Sequence, residues 1–94
     1  MMPGREIKRT AQFKRDFKAI RHDKELVEDL SAVIANLSAD IPLDVDKCDH
    51  PLHGEWEGSR DCHIRPDVIL IYEKTDREIR ILSLQRVGSH SKLF

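Results

Sequence analysis

The sequence predicts an α+β domain: an N-terminal strand, a two-helix hairpin, then a three-strand antiparallel meander. Three observations carry that prediction. Two apolar stripes with helical spacing occupy residues 10–37, a segment rich in Asp, Pro and Gly breaks periodicity over 38–55, and β-rich runs fill residues 56–87. Helices that follow one strand and precede three others pack as a second layer on one face of a sheet.

Arg5 to Arg9, with Ile7, reads as the first strand. Thr10 is placed to cap the first helix, since its hydroxyl can accept from free N–H groups of the first turn. Phe13, Phe17 and Ile20 follow at i, i+4 and i+7, one apolar stripe. Lys14, Lys18 and Arg21 form an adjacent basic flank. Asp23 can cap a second helix, whose stripe is Leu26, Leu30, Val33, Ile34 and Leu37. So short a connection makes the two helices an antiparallel hairpin. Residues 38–55 are expected to be a long loop, and loops of that length in small domains are functional or disordered. Trp56 to Ile64 is the next strand. Val68 to Tyr72 is a continuous apolar run, as in a central strand covered on both faces. Lys74-Thr75-Asp76-Arg77 reads as a polar turn and Ile79 to Val87 as the last strand, with imperfect alternation, before a short tail.

The 94 residues form one domain, and 39% hydrophobic with 35% charged residues suits an ordered fold. No apolar run approaches the ~20 residues of a membrane span. Met1-Met2-Pro3-Gly4-Arg5 lacks a secretory apolar core, so a cytoplasmic location is expected. Cys48 and Cys62 are too few for a disulfide framework and are expected to be reduced. Net charge is −1, but unevenly spread. Residues 1–24 hold eight basic and three acidic side chains, and residues 25–49 hold one basic and seven acidic. A basic end beside an acidic one points to a polyanion or a protein partner.

In an antiparallel meander, the end of one strand, the start of the next and the end of the third meet at one edge. His63, Asp67 and Arg86 to His90 fall there. Period two puts Asp61 and His63 on one face, with Trp56, Cys62 and Ile64 on the core face. Arg60 also falls on that core face unless a bulge near Gly58 re-aims it. The cluster holds what metal-free RNA cleavage needs. A 2′-OH must lose a proton as it attacks phosphorus, and the departing 5′-oxygen must gain one. Histidine suits both transfers, carboxylates orient or activate, and the planar fork of arginine matches phosphate. His50, His63, His90, Asp61 and Asp67 are the candidate catalytic groups, with Arg60 and Arg86 on phosphate.

Asp49-His50-Pro51-Leu52, Gly54-Glu55-Trp56-Glu57-Gly58, Arg60-Asp61-Cys62-His63, Pro66-Asp67, Ile69-Leu70-Ile71-Tyr72 and Arg86-Val87-Gly88-Ser89-His90 with Leu93-Phe94 stand in order over residues 48–94. Together they resemble the YafQ branch of the RelE toxin superfamily. The resemblance implies a microbial-RNase-like sheet and the toxin half of a bacterial type II toxin–antitoxin pair. It implies metal-free messenger cleavage in the ribosomal A site and an antitoxin partner that wraps the toxin. It places functional positions at His50, Asp61, His63, Asp67, His90 and Phe94, the last holding or stacking on a base. The aromatic residue that follows that Asp in the branch is Val68 here, and neither cysteine has a role in the pattern.

On this reading His90 is the general acid, with Asp61, His63 or His50 near the 2′-OH and Arg86 on the phosphoryl charge. His50 joins only if the 38–55 loop folds back. Lys14, Lys18 and Arg21 are either a solvated face or a contact to 16S ribosomal RNA. No cofactor, membrane or small-molecule ligand is expected. A same-scaffold toxin that inhibits DNA gyrase without nuclease chemistry is the rival function, and a plain antitoxin-binding module a further one. Cys48, His50 and His53, with Asp61, Cys62 or His63, could only hold zinc at spacings that fit no common pairing, so no metal is expected.

Overall fold

The computed structural model describes residues 4–76 and 80–94. Strand β1 (Glu6–Arg9) leads into helices α1 (Ala11–Ile20) and α2 (Lys24–Ser38). Strands β2 (His50–Pro51), β3 (Arg60–Arg65), β4 (Val68–Asp76) and β5 (Arg80–Gly88) and helix α3 (His90–Leu93) follow. The strands form one five-stranded sheet in the order β1-β5-β4-β3-β2. Strands β2 to β5 pair antiparallel, and β1 lies parallel to β5, so the sheet is mixed. A parallel neighbour of β5 is what a helical crossover from β1 permits.

Both caps expected from sequence are present. The Thr10 hydroxyl accepts from Phe13 N–H at 3.0 Å and the Asp23 carboxylate from Leu26 N–H at 3.1 Å. Phe13, Leu26, Leu30, Val33 and Leu37 of the helices pack on Cys62, Ile64, Leu70, Tyr72, Leu82, Leu84 and Val87 of the sheet. Each fully buried aliphatic side chain there contributes roughly 1.5–3 kcal/mol. The opposite sheet face carries a smaller cluster of Ile69, Ile71 and Leu93, joined by Leu52 and Trp56.

Several sequence expectations are corrected. The 38–55 segment is not structureless: it contains the 3₁₀ turns Val45–Lys47 and Gly54–Trp56 and the short strand β2. Trp56 lies in a 3₁₀ turn rather than a strand, and it packs on the face opposite Cys62 and Ile64. Gly58, at φ +94, belongs to the turn before β3, so no bulge there re-aims Arg60. Lys74 to Asp76 continue β4 instead of turning, and Arg77 and Ile79 lie outside the described residues. The tail is a helical turn capped by Ser89.

Two bulges interrupt the alternation of faces, one in β5 and one in β3. Ile71 faces Arg86 while Tyr72 faces Leu84, so Gln85 is the extra residue of β5. Leu82, Leu84 and Val87 therefore share the core face although 84 and 87 differ in parity. On β3, His63 faces Ile69 and Arg65 faces Val68, which makes Ile64 the extra residue. The second of these irregularities directly follows His63, one of the candidate reacting groups.

The other sheet end is tied by charge. Arg5, only 8% exposed, gives its guanidinium to Asp40 at 2.8 Å and Asp76 at 2.5 Å. Lys74 and Arg80 also reach Asp40. Arg5 first and then Lys74 hold the Asp40 carboxyl well below the usual carboxylate range. A carboxyl lowered in the folded state stabilises the fold above its unfolded pKa, ~3.9, and loses that contribution as pH falls further. Asp40→Asn is thus expected to lower Tm near pH 7 by about 4–8 °C, the equivalent of ~1 kcal/mol for a partly solvated network. Melting curves should show the gap to the parent closing below about pH 4. A gap that stays constant into acid would show that Asp40 acts through its shape rather than its charge.

Candidate active site

The site is assembled on the sheet face away from the helical hairpin. Asp61 and His63 project there from β3, as period two requires. Strand β2 folds the 38–55 segment back so that His50 pairs directly with Asp61. His63 faces Ile69, which faces Gly88, and two residues on His90 opens α3. One imidazole, that of His50, therefore stands against the Asp61 carboxylate, and two more lie at the same end of the sheet.

Asp61 is 3% exposed. Burial pushes its carboxyl above the ordinary value, against the pull of His50, His63 and His90. Its Oδ1 is buried without a hydrogen-bond donor among the described residues. His50 Nδ1 stands 3.2 Å from that oxygen, but it is 2.7 Å from the Cys48 carbonyl. A carbonyl only accepts, so Nδ1 carries the hydrogen and Nε2 is the acceptor of the neutral ring. The half-exposed His50 thus presents a proton acceptor to solvent, with Asp61 3.2 Å from its Nδ1.

His90 and Phe94 stack at a ring separation of 4.9 Å, tilted by 38°, and Phe94 is 50% exposed. Asp67 is exposed in the Pro66–Asp67 turn at the same sheet end. Val68 packs toward the helix-side core.

Both arginines are engaged by carboxylates, and Arg60 lies on the face that period two gives it. Arg60 shares the Cys62 face, where its Nε donates to Asp49 at 3.1 Å. That is the face opposite Asp61 and His63. Arg86 forms a two-pronged pair with Asp16 of α1, Nε to Oδ2 at 2.8 Å and Nη2 to Oδ1 at 3.0 Å. Asp16 also accepts from Val87 N–H at 3.2 Å. Burial pushes the Asp16 carboxyl up, yet Arg86 and that N–H together leave it below its ordinary value. Lys14, Lys18 and Arg21 are all exposed.

Sequence reasoning missed Asp16 and Asp49. Asp16 had a signal: it lies at i+3 from Phe13, inside the apolar stripe, where a carboxylate needs a partner. Asp49 had a weaker one, its position next to His50 and hence on the opposite face of a strand. Cys62 is fully buried, with its thiol pushed up to about 12 by burial, while Cys48 is exposed; both are free. Among the described residues no group of three His, Cys, Asp or Glu can hold a metal ion. No helix among them is long and apolar enough to cross a membrane.

Fold and site together fit a bacterial toxin of a type II toxin–antitoxin system, the description of the family that matches residues 5–94. Within that class the chain belongs to the YafQ family. It is 39% identical over 96 aligned positions to the mRNA interferase toxin YafQ of Escherichia coli strain K12, covering 99% of both chains. Its fold is similar to YafQ in the E. coli DinJ-YafQ complex, with a TM-score of 0.82, 36% identity, and 96% and 98% of the two chains covered. It is also similar to a metal-bound toxin from Helicobacter pylori, with a TM-score of 0.85, 34% identity, and 99% and 100% covered.

Proposed function

We propose that this chain is an endoribonuclease that cleaves messenger RNA in the ribosomal A site, and that a cognate antitoxin protein holds it in check. The observation that carries the reading is the buried Asp61 on the sheet face away from the hairpin, 3.2 Å from His50, with His63 two residues on along β3 and His90 just past the end of β5 at the same sheet end. A pure binding module has no use for that many proton-transfer groups. The relatives named as mRNA interferases support the substrate, and the DinJ-YafQ complex supports the partner class.

The chemistry needs no metal in any step. His50, with Nε2 free, takes the proton of the 2′-OH as that oxygen attacks phosphorus. Asp61 stabilises the imidazolium. The 5′-oxygen leaves with a proton from His90, so the products are a cyclic phosphate and a 5′-hydroxyl. His63 and Asp67 lie beside this path as further donors or acceptors. Arg86, with three N–H hydrogens left after Asp16 takes two, can still reach a phosphoryl oxygen. Phe94 stacks a base, and Lys14, Lys18 and Arg21 dock on 16S ribosomal RNA, which makes binding strongly salt-dependent. Arg60 reaches substrate only by leaving Asp49.

The test is a primer-extension map of messenger incubated with programmed ribosomes and the toxin. Discrete new 5′ ends in the A-site codon are expected, and a single 2′-deoxy substitution at the mapped site should abolish them. Intact messenger, alongside inhibition of DNA gyrase, would replace this reading with that of a non-nuclease toxin. Cleavage that survives the 2′-deoxy substitution would discard 2′-OH attack.

A further inference from the structure

We propose that Asp49 is a positioning residue for His50: clamped by Tyr72 and Arg60 on the helix-facing side of the sheet, its carboxylate fixes the turn that presents the imidazole on the opposite side. The proposal rests on the reading of His50 as a reacting group.

Asp49 Oδ1 accepts from the Tyr72 hydroxyl at 2.6 Å and from Arg60 Nε at 3.1 Å. Tyr72 is 1% exposed in the middle of β4, and its phenol is held in the protonated form, first by burial and then by Asp49 itself. The anchor is therefore rigid and stays a donor. Beyond it the segment is tied by Leu52, whose N–H donates to the Ser59 carbonyl at 2.9 Å. Strand β2 is two residues long, and one of them, Pro51, has no N–H for the ladder.

The turn before it also needs holding. Cys48 has φ +52, a left-handed conformation that a non-glycine residue keeps only when its surroundings impose it. That conformation places the Cys48 carbonyl 2.7 Å from His50 Nδ1. Neighbouring residues of an extended chain point to opposite sides. Pinning Asp49 toward Tyr72 therefore turns His50 toward Asp61. The clamp, the Cys48 turn and the choice of ring tautomer form one mechanical chain.

Single-turnover cleavage on programmed ribosomes tests this with Tyr72→Phe, Asp49→Ala and Asp49→Asn, each in the parent and in a His50→Ala background. Nitrogen NMR of His50 reads the tautomer in parallel. Tyr72→Phe and Asp49→Ala should lower kcat about 10-fold with KM nearly unchanged, since a small misplacement of a reacting group is costly. The Nδ1–H signature of His50 should give way to a tautomer mixture in both. Asp49→Asn, which keeps an oxygen for Tyr72, should lie closer to the parent. In the His50→Ala background Tyr72→Phe should have no further effect. Equal slowing in both backgrounds, or an unchanged His50 tautomer in Tyr72→Phe and Asp49→Ala, overturns the proposal. If His50→Ala alone cleaves at the parent rate, the catalytic reading of His50 fails, and the tautomer spectra still decide whether Asp49 holds the ring.

Discussion

His90→Ala is expected to cleave messenger on the ribosome at least about 10²-fold more slowly than the parent chain, with its melting temperature nearly unchanged. The rate loss is the low end for removal of a proton-transfer group. The stability expectation follows from placement: His90 is exposed at the start of α3, and the buried anchor of that helix is Leu93. Phe94 loses a stacking neighbour at 4.9 Å, so part of the effect can come through the base it would hold. His90→Gln separates the two contributions. It keeps a planar polar group beside Phe94 but cannot donate a proton as an imidazolium does. If the lost group is the acid, Gln should be nearly as slow as Ala, and both should be partly rescued by a substrate whose 5′-oxygen leaves without protonation, such as a bridging phosphorothiolate. Parent-like cleavage by both variants would remove His90 from the reaction.

Arg86→Ala is expected to cost about 3 kcal/mol of stability, a fall in Tm of more than roughly 10 °C in a domain this small. Asp16 is 4% exposed, and among the described residues Arg86 is the one side chain that donates to it. Removing the arginine leaves a buried carboxylate supported by one backbone N–H, that of Val87. Arg86 is itself partly solvated, so the cost lies at the low end for broken buried pairs. Asp16→Asn in the Arg86→Ala background should recover part of the loss, because the neutral amide keeps an oxygen for Val87 and carries no buried charge. Thermal melts of the two single variants and the double decide the matter. An undisturbed Tm in Arg86→Ala, or a double variant less stable than that single one, would show that the pair does not hold α1 to β5. The result also bears on activity assays: a slow Arg86→Ala must be measured well below its own Tm before any loss is assigned to phosphate binding.

The two hairpin helices, both their caps and the three-strand meander were legible in the sequence, since each follows from spacing or from a short-range hydrogen bond. Thr10 and Asp23 cap three residues away, and Phe13, Phe17 and Leu26 to Leu37 follow one period. The convergence of His63 and His90 was legible as well, because a meander returns strand ends to one edge. Trp56 was misplaced because strand parity was extended through Gly58, whose turn interrupts it. The parallel pairing of β1 with β5 was not readable, because it depends on where the hairpin carries the chain rather than on the four residues of β1.

By itself the sequence determined the layer architecture and the kinds of side chain the candidate site offers, because periodicity and side-chain chemistry are local properties. Only the tertiary structure decided which of those groups face one another. The bulges at Ile64 and Gln85 shift side chains between faces, and no local pattern announces an extra residue. The partners that hold Arg86 and Asp49 lie 70 and 23 residues away along the chain. Such contacts exist only once the core has brought distant segments into register. That is why His50 and Asp61 meet.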